Sequence, residues 1–181
     1  MKKAKLKLKQ RATDAPYSSE QAMYSEVCAW LQGLLKSRFP RSKVMVADTS
    51  RVTLGSFMER EGWAELFPDY QTYEINVDIT GIVHTKKPCL TFVECKLTTL
   101  KLRDVSQLLG YSKVAKPIYS LIISPVGISQ ALSLLLKIHR RYDVLEYAEG
   151  RRLKVGIWDA VRRTVDPATL IPPGESLSLT L

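Results

Sequence analysis

The chain has few residues of the kinds that hold zinc, iron–sulfur clusters or cross-links. Its three cysteines, Cys28, Cys89 and Cys95, are widely spaced and form no CxxC pair. That spacing argues against zinc and iron–sulfur sites, and the odd count favours reduced, buried thiols inside a cell. The two histidines, His84 and His139, are isolated, with no partner at the spacing of a metal site or a catalytic triad.

Long apolar runs are also missing. No stretch approaches the roughly 20 apolar residues that a membrane-spanning helix needs, so we expect no membrane partner. The basic N-terminus is followed by no apolar run, so we expect no secretory signal and a cytoplasmic, intracellular location. The 181 residues are 45% hydrophobic and 25% charged, which indicates one soluble domain with a real core.

Positive charge is in excess. A net charge of +9 at pH 7 points to a polyanionic partner, and to nucleic acid before a membrane surface. Residues 1–16 should form a disordered basic arm, either an idle solvated tail or a source of salt-sensitive affinity for phosphates. Residues 17–160 should form a single α/β domain and residues 161–181 an extended C-terminal tail. The charge of the arm comes from Lys2, Lys3, Lys5, Lys7, Lys9 and Arg11.

Hydrophobic periodicity predicts an α/β sheet with helices on both faces. Ser18 and Gln21 form a candidate capping box at the start of the first helix. The remaining predicted elements are a strand over 43–47, a helix over 54–67, strands over 73–83, 90–97 and 118–124, helices over 103–116 and 128–141, and a hairpin of 143–148 with 153–158.

Ionisable residues stand on two of these strands. Asp78 lies on the polar face of the strand over 73–83, while Glu94 and Lys96 share one face of the otherwise apolar strand over 90–97. Buried ionisable groups are costly unless they are paired or bind a metal. If the two strands are hairpin neighbours, the carboxylates meet and offer hard oxygen ligands to Mg²⁺ or Mn²⁺. Such an ion would polarise a phosphate and lower the pKa of a bound water. Lys96 could then orient or deprotonate that water, or stabilise the negative charge that develops in the reaction.

Two alternatives stay open for the same residues. In the first, Glu94 and Lys96 form an edge-strand pair and Asp78 lies near a turn, so the three are a structural ion-pair cluster. The apolar neighbours of Glu94 argue against an edge strand. In the second, the protein is a non-catalytic nucleic-acid-binding module, which needs a basic surface but not all three residues.

The runs VDITG over residues 77–81 and FVECK over residues 92–96 resemble the motif of the PD-(D/E)XK nuclease superfamily. The flanking pattern also matches, with a helix before these strands and a helix and a strand after them. The resemblance covers roughly residues 18–124 as a pattern of elements, and Val77 stands where the motif often has proline. It implies a restriction-endonuclease-like core, which is a mixed sheet flanked by helices.

The resemblance also implies a set of site residues. Mg²⁺, for which Mn²⁺ can substitute, would be held by Asp78, Glu94 and the main-chain carbonyl of Cys95, with Lys96 beside the attacking water. The family often adds a glutamate from the first helix. Glu20 is favoured because it lies on the coreward face, whereas Glu26 lies at the flank; the alternative role for Glu20 is stabilisation of the helix dipole.

The helix over 103–116 carries a second resemblance. Gln107 and Tyr111 are four residues apart and share a face, with Arg103 one turn earlier. They resemble the QxxxY element of the exonuclease-like and Holliday-junction-resolvase branches, in which the pair lines the active site and contacts substrate. The alternative is a solvent-facing amide and a half-exposed tyrosine. Further candidate phosphate contacts are Lys113, Lys116, Arg140 and Arg141.

These residues together predict a Mg²⁺-dependent deoxyribonuclease that hydrolyses phosphodiester bonds in DNA. Endonuclease action is expected before exonuclease action, in a junction resolvase or a restriction-type enzyme. A homodimer is expected, because two strands must be cut symmetrically.

Overall fold

A computed structural model describes residues 17–174; the predicted basic arm and residues 175–181 lie outside them. Among these residues, four short helical turns are of the 3-10 type, at Ala64–Leu66, Tyr70–Thr72, Tyr142–Leu145 and Pro167–Thr169. The helices are α1 (Glu20–Arg38), α2 (Leu54–Arg60), α3 (Leu102–Ala115) and α4 (Gln130–Ser133). The strands are β1 (Lys43–Asp48), β2 (Ile79–His84), β3 (Cys89–Cys95), β4 (Tyr119–Ser124), β5 (Glu146–Ala148), β6 (Arg151–Arg152), β7 (Lys154–Asp159) and β8 (Thr164–Val165).

Six strands form one mixed sheet in the order β1-β2-β3-β4-β7-β8. Strands β1, β2 and β3 are antiparallel neighbours, whereas β3, β4 and β7 run parallel, and β8 returns antiparallel to β7. The predicted α/β class is therefore confirmed. The fold also places the carboxyl ends of β3, β4 and β7 at one end of the sheet.

Helices cover both faces of the sheet, as predicted. Successive side chains of β3 point to opposite faces, so Phe92 packs with α2 and α3 while Val93 packs with α1. Both side chains are fully buried. β3 is thus an interior strand covered on both sides, as its apolar sequence predicted.

The strand predicted over 73–83 is shorter than expected, because β2 begins only at Ile79. The backbone before β2 forms hydrogen bonds with the N-terminus of α2 instead. The N–H of Leu54 donates to the carbonyl of Ile75 (2.8 Å), and the N–H of Gly55 donates to the carbonyl of Tyr73 (3.1 Å). Glycine is required at position 55, since a Cβ there would lie 2.5 Å from the carbonyl oxygen of Tyr70. Asp78 consequently lies just before β2 rather than within it.

Three other predicted elements differ in detail. Ser19, not Ser18, caps α1 by accepting from the N–H of Ala22. The helix predicted over 54–67 ends at Arg60. The helix predicted over 128–141 is a short α4 that widens into a π-helix over Leu134–Ile138.

The predicted hairpin of 143–148 with 153–158 is wrong. β5 pairs with the two-residue β6, and β7 instead joins the main sheet parallel to β4. Parallel pairing buries β7 on both faces. The apolar sequence of β7 is compatible with this arrangement and with a hairpin, so it does not decide between them.

Part of the predicted C-terminal tail is folded onto the domain. β8 pairs with β7, and Val155 and Ile171 exchange two backbone hydrogen bonds of 3.0 and 2.9 Å. The expected boundary at residue 160 therefore lies inside the folded part of the chain. Within residues 17–174, no helix has both the length and the apolar character required to span a membrane.

Candidate metal centre

Asp78 and Glu94 lie at the same end of the sheet: Asp78 directly precedes β2, and Glu94 belongs to the neighbouring antiparallel strand β3. Ile79 pairs with Val93, so continuing this register places Asp78 directly opposite Glu94. The hairpin relation that the sequence suggested for these strands is thus present. Because β3 ends at Cys95, both carboxylates lie at the carboxyl end of β3.

Two donors fix the carboxylate of Asp78. The hydroxyl of Tyr24 donates to its Oδ1 (2.6 Å), and the backbone N–H of Cys95 donates to its Oδ2 (2.8 Å). The backbone of Asp78 is held as well, because its carbonyl accepts from the N–H of Thr49 (2.8 Å). Each carboxylate oxygen can accept two hydrogen bonds, so both keep capacity for a further ligand.

Glu94 is the most deeply buried acid of the group, with a side chain 5% exposed. Its Oε1 accepts a hydrogen bond from Nζ of Lys96 (2.8 Å), but its Oε2 is buried and has no hydrogen-bond partner among the described residues. Burial, and then the charge of Asp78, raise the pKa of Glu94 to about 7, although Lys96 opposes the rise. Buried polar atoms in folded proteins almost always have a partner, so this oxygen has unused capacity to accept one.

Lys96 joins two acids. Its Nζ lies 2.8 Å from Oε1 of Glu94 and 3.7 Å from Oε2 of Glu20. Burial disfavours its charge, but the hydrogen bond and charge of Glu94 outweigh burial and raise the pKa of Lys96. The ammonium group therefore stays charged at neutral pH, which suits it to stabilise negative charge and not to take up a proton.

Glu20 reaches this site and Glu26 does not. Oε1 of Glu20 accepts from the backbone N–H of Leu97 (3.4 Å), and its side chain, 36% exposed, is the outermost of the group. Glu26 instead accepts from the hydroxyl of Tyr17 and pairs with Arg163 (3.2 Å). Of the two helix carboxylates considered from the sequence, the structure thus brings Glu20 to Lys96.

Tyr24 is the site residue that sequence reasoning missed. It follows Met23 in the apolar stripe of α1 and is buried, so its hydrophobicity concealed its hydroxyl. One signal was available: Tyr24 is four residues after Glu20 and therefore shares its helical face. Burial, and then the hydrogen bond to Asp78, raise the pKa of Tyr24, so the phenol keeps its proton and remains a donor.

The predicted substrate-binding residues lie along α3. Gln107 is exposed and Tyr111 is half-buried against the core, and within residues 17–174 neither forms a hydrogen bond with Asp78, Glu94 or Lys96. Their predicted role in contacting substrate stays a prediction.

The two basic residues predicted on α3 stand at opposite ends of it. Arg103 lies in the first turn, is 84% exposed and pairs with Asp104 (3.3 Å). Lys113 lies in the last turn, about 15 Å further along the helix axis. Arg103 is therefore near the end of the sheet that carries the carboxylates, and Lys113 is near the opposite end.

The residues present fit a divalent ion held partly by main chain. In the described part of the chain, no group of three or more His, Cys, Asp or Glu side chains is arranged to hold a metal. The predicted ligand set does not need one, since it consists of Asp78, Glu94 and the carbonyl of Cys95. The spare acceptor capacity of Asp78 and the partnerless oxygen of Glu94 are hard oxygen donors of the type that Mg²⁺ and Mn²⁺ bind.

Comparisons with known proteins assign no family to this arrangement: no family model matches the chain, and no significant match is found among curated proteins or solved structures.

Proposed function

We propose that the protein is a Mg²⁺-dependent nuclease of the PD-(D/E)XK type that hydrolyses phosphodiester bonds in DNA. The observation that carries the proposal is the buried, partnerless Oε2 of Glu94, which lies on β3 opposite Asp78 and beside Lys96. A buried acceptor left without a partner costs about 1 to 3 kcal/mol, and a divalent cation at this point would offset that cost.

The roles of the residues follow from their positions. Asp78, Glu94 and the carbonyl of Cys95 would hold the ion, which when bound supplies a Lewis acid for the phosphate and lowers the pKa of a water. Lys96, charged and 20% exposed, faces the opening and stabilises negative charge developing on the phosphate. Glu20 holds Lys96 from the solvent side.

A structural ion-pair cluster is the second candidate, and one observation favours it. Lys96 already pairs with both Glu94 and Glu20, so three of the four charges are partly balanced without a metal. A cluster of this kind should gain no stability from Mg²⁺, whereas a metal site should gain RT ln(1 + [Mg²⁺]/Kd).

The test combines metal titration with a panel of DNA substrates. Thermal unfolding of the full chain is followed with increasing Mg²⁺ or Mn²⁺, and cleavage is measured on linear, branched, single-stranded and circular DNA. Asp78→Asn and Glu94→Gln should each abolish both metal-induced stabilisation and cleavage. Glu59→Gln is the matched control, because this exposed acid of α2 lies outside the site and should leave both unchanged.

The outcomes separate the candidates. Metal-dependent cleavage that is lost in both site variants supports the nuclease. Stabilisation without cleavage of any substrate points to a non-catalytic nucleic-acid-binding module. The absence of both stabilisation and cleavage points to the ion-pair cluster. Full cleavage by Asp78→Asn or Glu94→Gln contradicts the proposed site.

The proposal also includes three expectations about the partner, the oligomeric state and the location of the protein. The partner is DNA, the active form is a homodimer and the location is intracellular. Sedimentation of the protein with and without duplex measures the second of these directly.

A further inference from the structure

The end of the sheet opposite the candidate metal centre carries an unusual set of cations. The N-terminus of β1, the turn between β2 and β3, the C-terminus of α3 and the C-terminal side of the π-helix all meet there. We call this surface the basic end and define it by six exposed residues: Arg41, Lys86, Lys87, Lys113, Lys116 and Arg140.

Contacts of the backbone show that these elements adjoin one another. Lys43 of β1 pairs with His84, directly before the turn that contains Lys86 and Lys87. The N–H of Ile118 donates to Leu90, which joins the C-terminal end of α3 to the start of β3. Arg151 of β6 donates to the carbonyl of Lys116 (2.8 Å), which joins β6 to the C-terminal end of α3. These contacts place the segments that carry the first five cations side by side. Arg140 lines a cavity with Ile171, which pairs with Val155 near the start of β7 at the same end of the sheet.

The six cations form no ion pairs within residues 17–174. At the other end of the sheet, by contrast, Arg103, Arg162 and Arg163 pair with Asp104, Asp159 and Glu26. The acids Asp143 and Glu146 near the basic end already pair with Arg141 and Arg152. Uncompensated positive charge on a rigid surface attracts a polyanion.

The dimensions suit duplex nucleic acid. From β1 to β7 the sheet crosses four strand spacings, roughly 19 Å, which matches about six base pairs at 3.4 Å each. Lys137 and Arg140 extend the charge to a cavity of about 550 Å³ that Tyr142 and Ile171 also line. The cations come from several separate elements and not from one amphipathic helix lying on the surface, which is the arrangement typical of membrane binding.

We propose that the basic end is a second nucleic-acid-binding surface, which contacts the phosphate backbone of a duplex segment away from the candidate metal centre. Along β3, six residue steps of about 3.3 Å separate its two ends by roughly 20 Å. A straight duplex that lies across the strands at the basic end does not reach Asp78 and Glu94, so it is a different segment from the one at that centre. The inference rests on the proposed function only in taking nucleic acid as the partner.

Binding of a fluorescent duplex to the full chain tests the proposal, in chelator so that no cleavage is needed. Lys86→Gln/Lys87→Gln and Lys113→Gln/Lys116→Gln should each weaken binding and reduce the slope of log K against log salt by up to about two, because each phosphate contact contributes about 0.9. Arg60→Gln, compared with Lys86→Gln alone, is the control: it removes one charge from an arginine that Glu61 already neutralises, and it should change the slope much less.

A second measurement needs no variant. Saturating duplex should protect the four lysines of the basic end from acetylation in the full chain. Unprotected lysines, or an equal loss of affinity in the control, would overturn the proposal. Vesicles of phosphatidylserine are included because Ile138 beside the basic end is 68% exposed. If binding to these vesicles depends on the lysines and binding to duplex does not, the proposal is also overturned. Failure to cleave any DNA would refute the nuclease and leave this surface standing.

Discussion

Replacing Glu94 with glutamine should stabilise the metal-free protein at neutral pH, and the gain should vanish in acid. Folding raises the pKa of Glu94 from its ordinary value of 4.5 to about 7, chiefly through burial and then through the charge of Asp78. A carboxyl of this kind stabilises the folded state while it is protonated. Its contribution is complete below about pH 4.5 and is lost as the pH rises to about 7.

The size of the effect follows from the same pKa. Each pKa unit corresponds to about 1.4 kcal/mol, so wild type should lose roughly 3 kcal/mol of unfolding free energy from this group across that window. Glutamine is neutral at every pH and keeps an oxygen that can accept from Lys96. The difference in unfolding free energy between Glu94→Gln and wild type should therefore grow by roughly 3 kcal/mol between about pH 4.5 and about pH 8.

Urea unfolding at a series of pH values, in chelator, measures this difference. The matched control is Glu59→Gln, which removes the same charge from an exposed acid outside the site. Added Mg²⁺ should restore stability to wild type at neutral pH but not to Glu94→Gln, since the ion favours the charged carboxylate. A difference between Glu94→Gln and wild type that does not change with pH would refute the reasoning.

Three further changes test other parts of the molecule. Tyr24→Phe should cost about 1.5 to 3 kcal/mol and weaken Mg²⁺ binding in calorimetric titration, because Asp78 loses a charge-assisted hydrogen bond; unchanged Mg²⁺ affinity would make Tyr24 purely structural. Lys96→Ala should keep Mg²⁺-induced stabilisation while cleavage falls by orders of magnitude, and normal cleavage would remove Lys96 from the mechanism. Deleting residues 2–11 should leave the melting temperature unchanged and reduce the salt slope of DNA binding, whereas an unchanged slope would show an idle arm.

The elements with strong hydrophobic periodicity could be predicted from the sequence. Helices α1 and α3 and strands β1, β3 and β4 lie where the sequence analysis expected them, within one or two residues. In each, the buried stripe or the apolar run determines the element locally, so that distant contacts are not needed to recognise it.

The failures arise where distant contacts decide. The alternation over residues 73–78 is typical of a strand, but that backbone bonds to the N-terminus of α2 instead. The apolar residues of β7 fit a hairpin and a parallel strand equally well, and the choice of β4 as its neighbour depends on the whole sheet. Tertiary contacts override local preference in both cases.

The candidate site divides in the same way. Glu94 and Lys96 could be found because ionisable residues on an apolar strand are conspicuous, and Asp78 because it follows the polar face of the preceding predicted strand. The antiparallel register places Asp78 opposite Glu94 as expected. Tyr24 could not be found from composition, because a buried tyrosine resembles any other core aromatic until its hydroxyl has a partner. The partner, Asp78, is 54 residues away in the chain.

Charges at the candidate metal centre are largely paired, whereas the six cations of the basic end form no ion pairs within residues 17–174, so the domain has an electric dipole along its strands with the basic end at the positive pole. In the electric field of a polyanion, a protein with such a dipole rotates during its approach, so that its positive end makes the first contact. The first encounter with DNA should therefore leave the carboxylates facing away from the molecule just captured. Low ionic strength should accelerate capture without accelerating any step that needs the carboxylates, so the two rates should respond differently to salt.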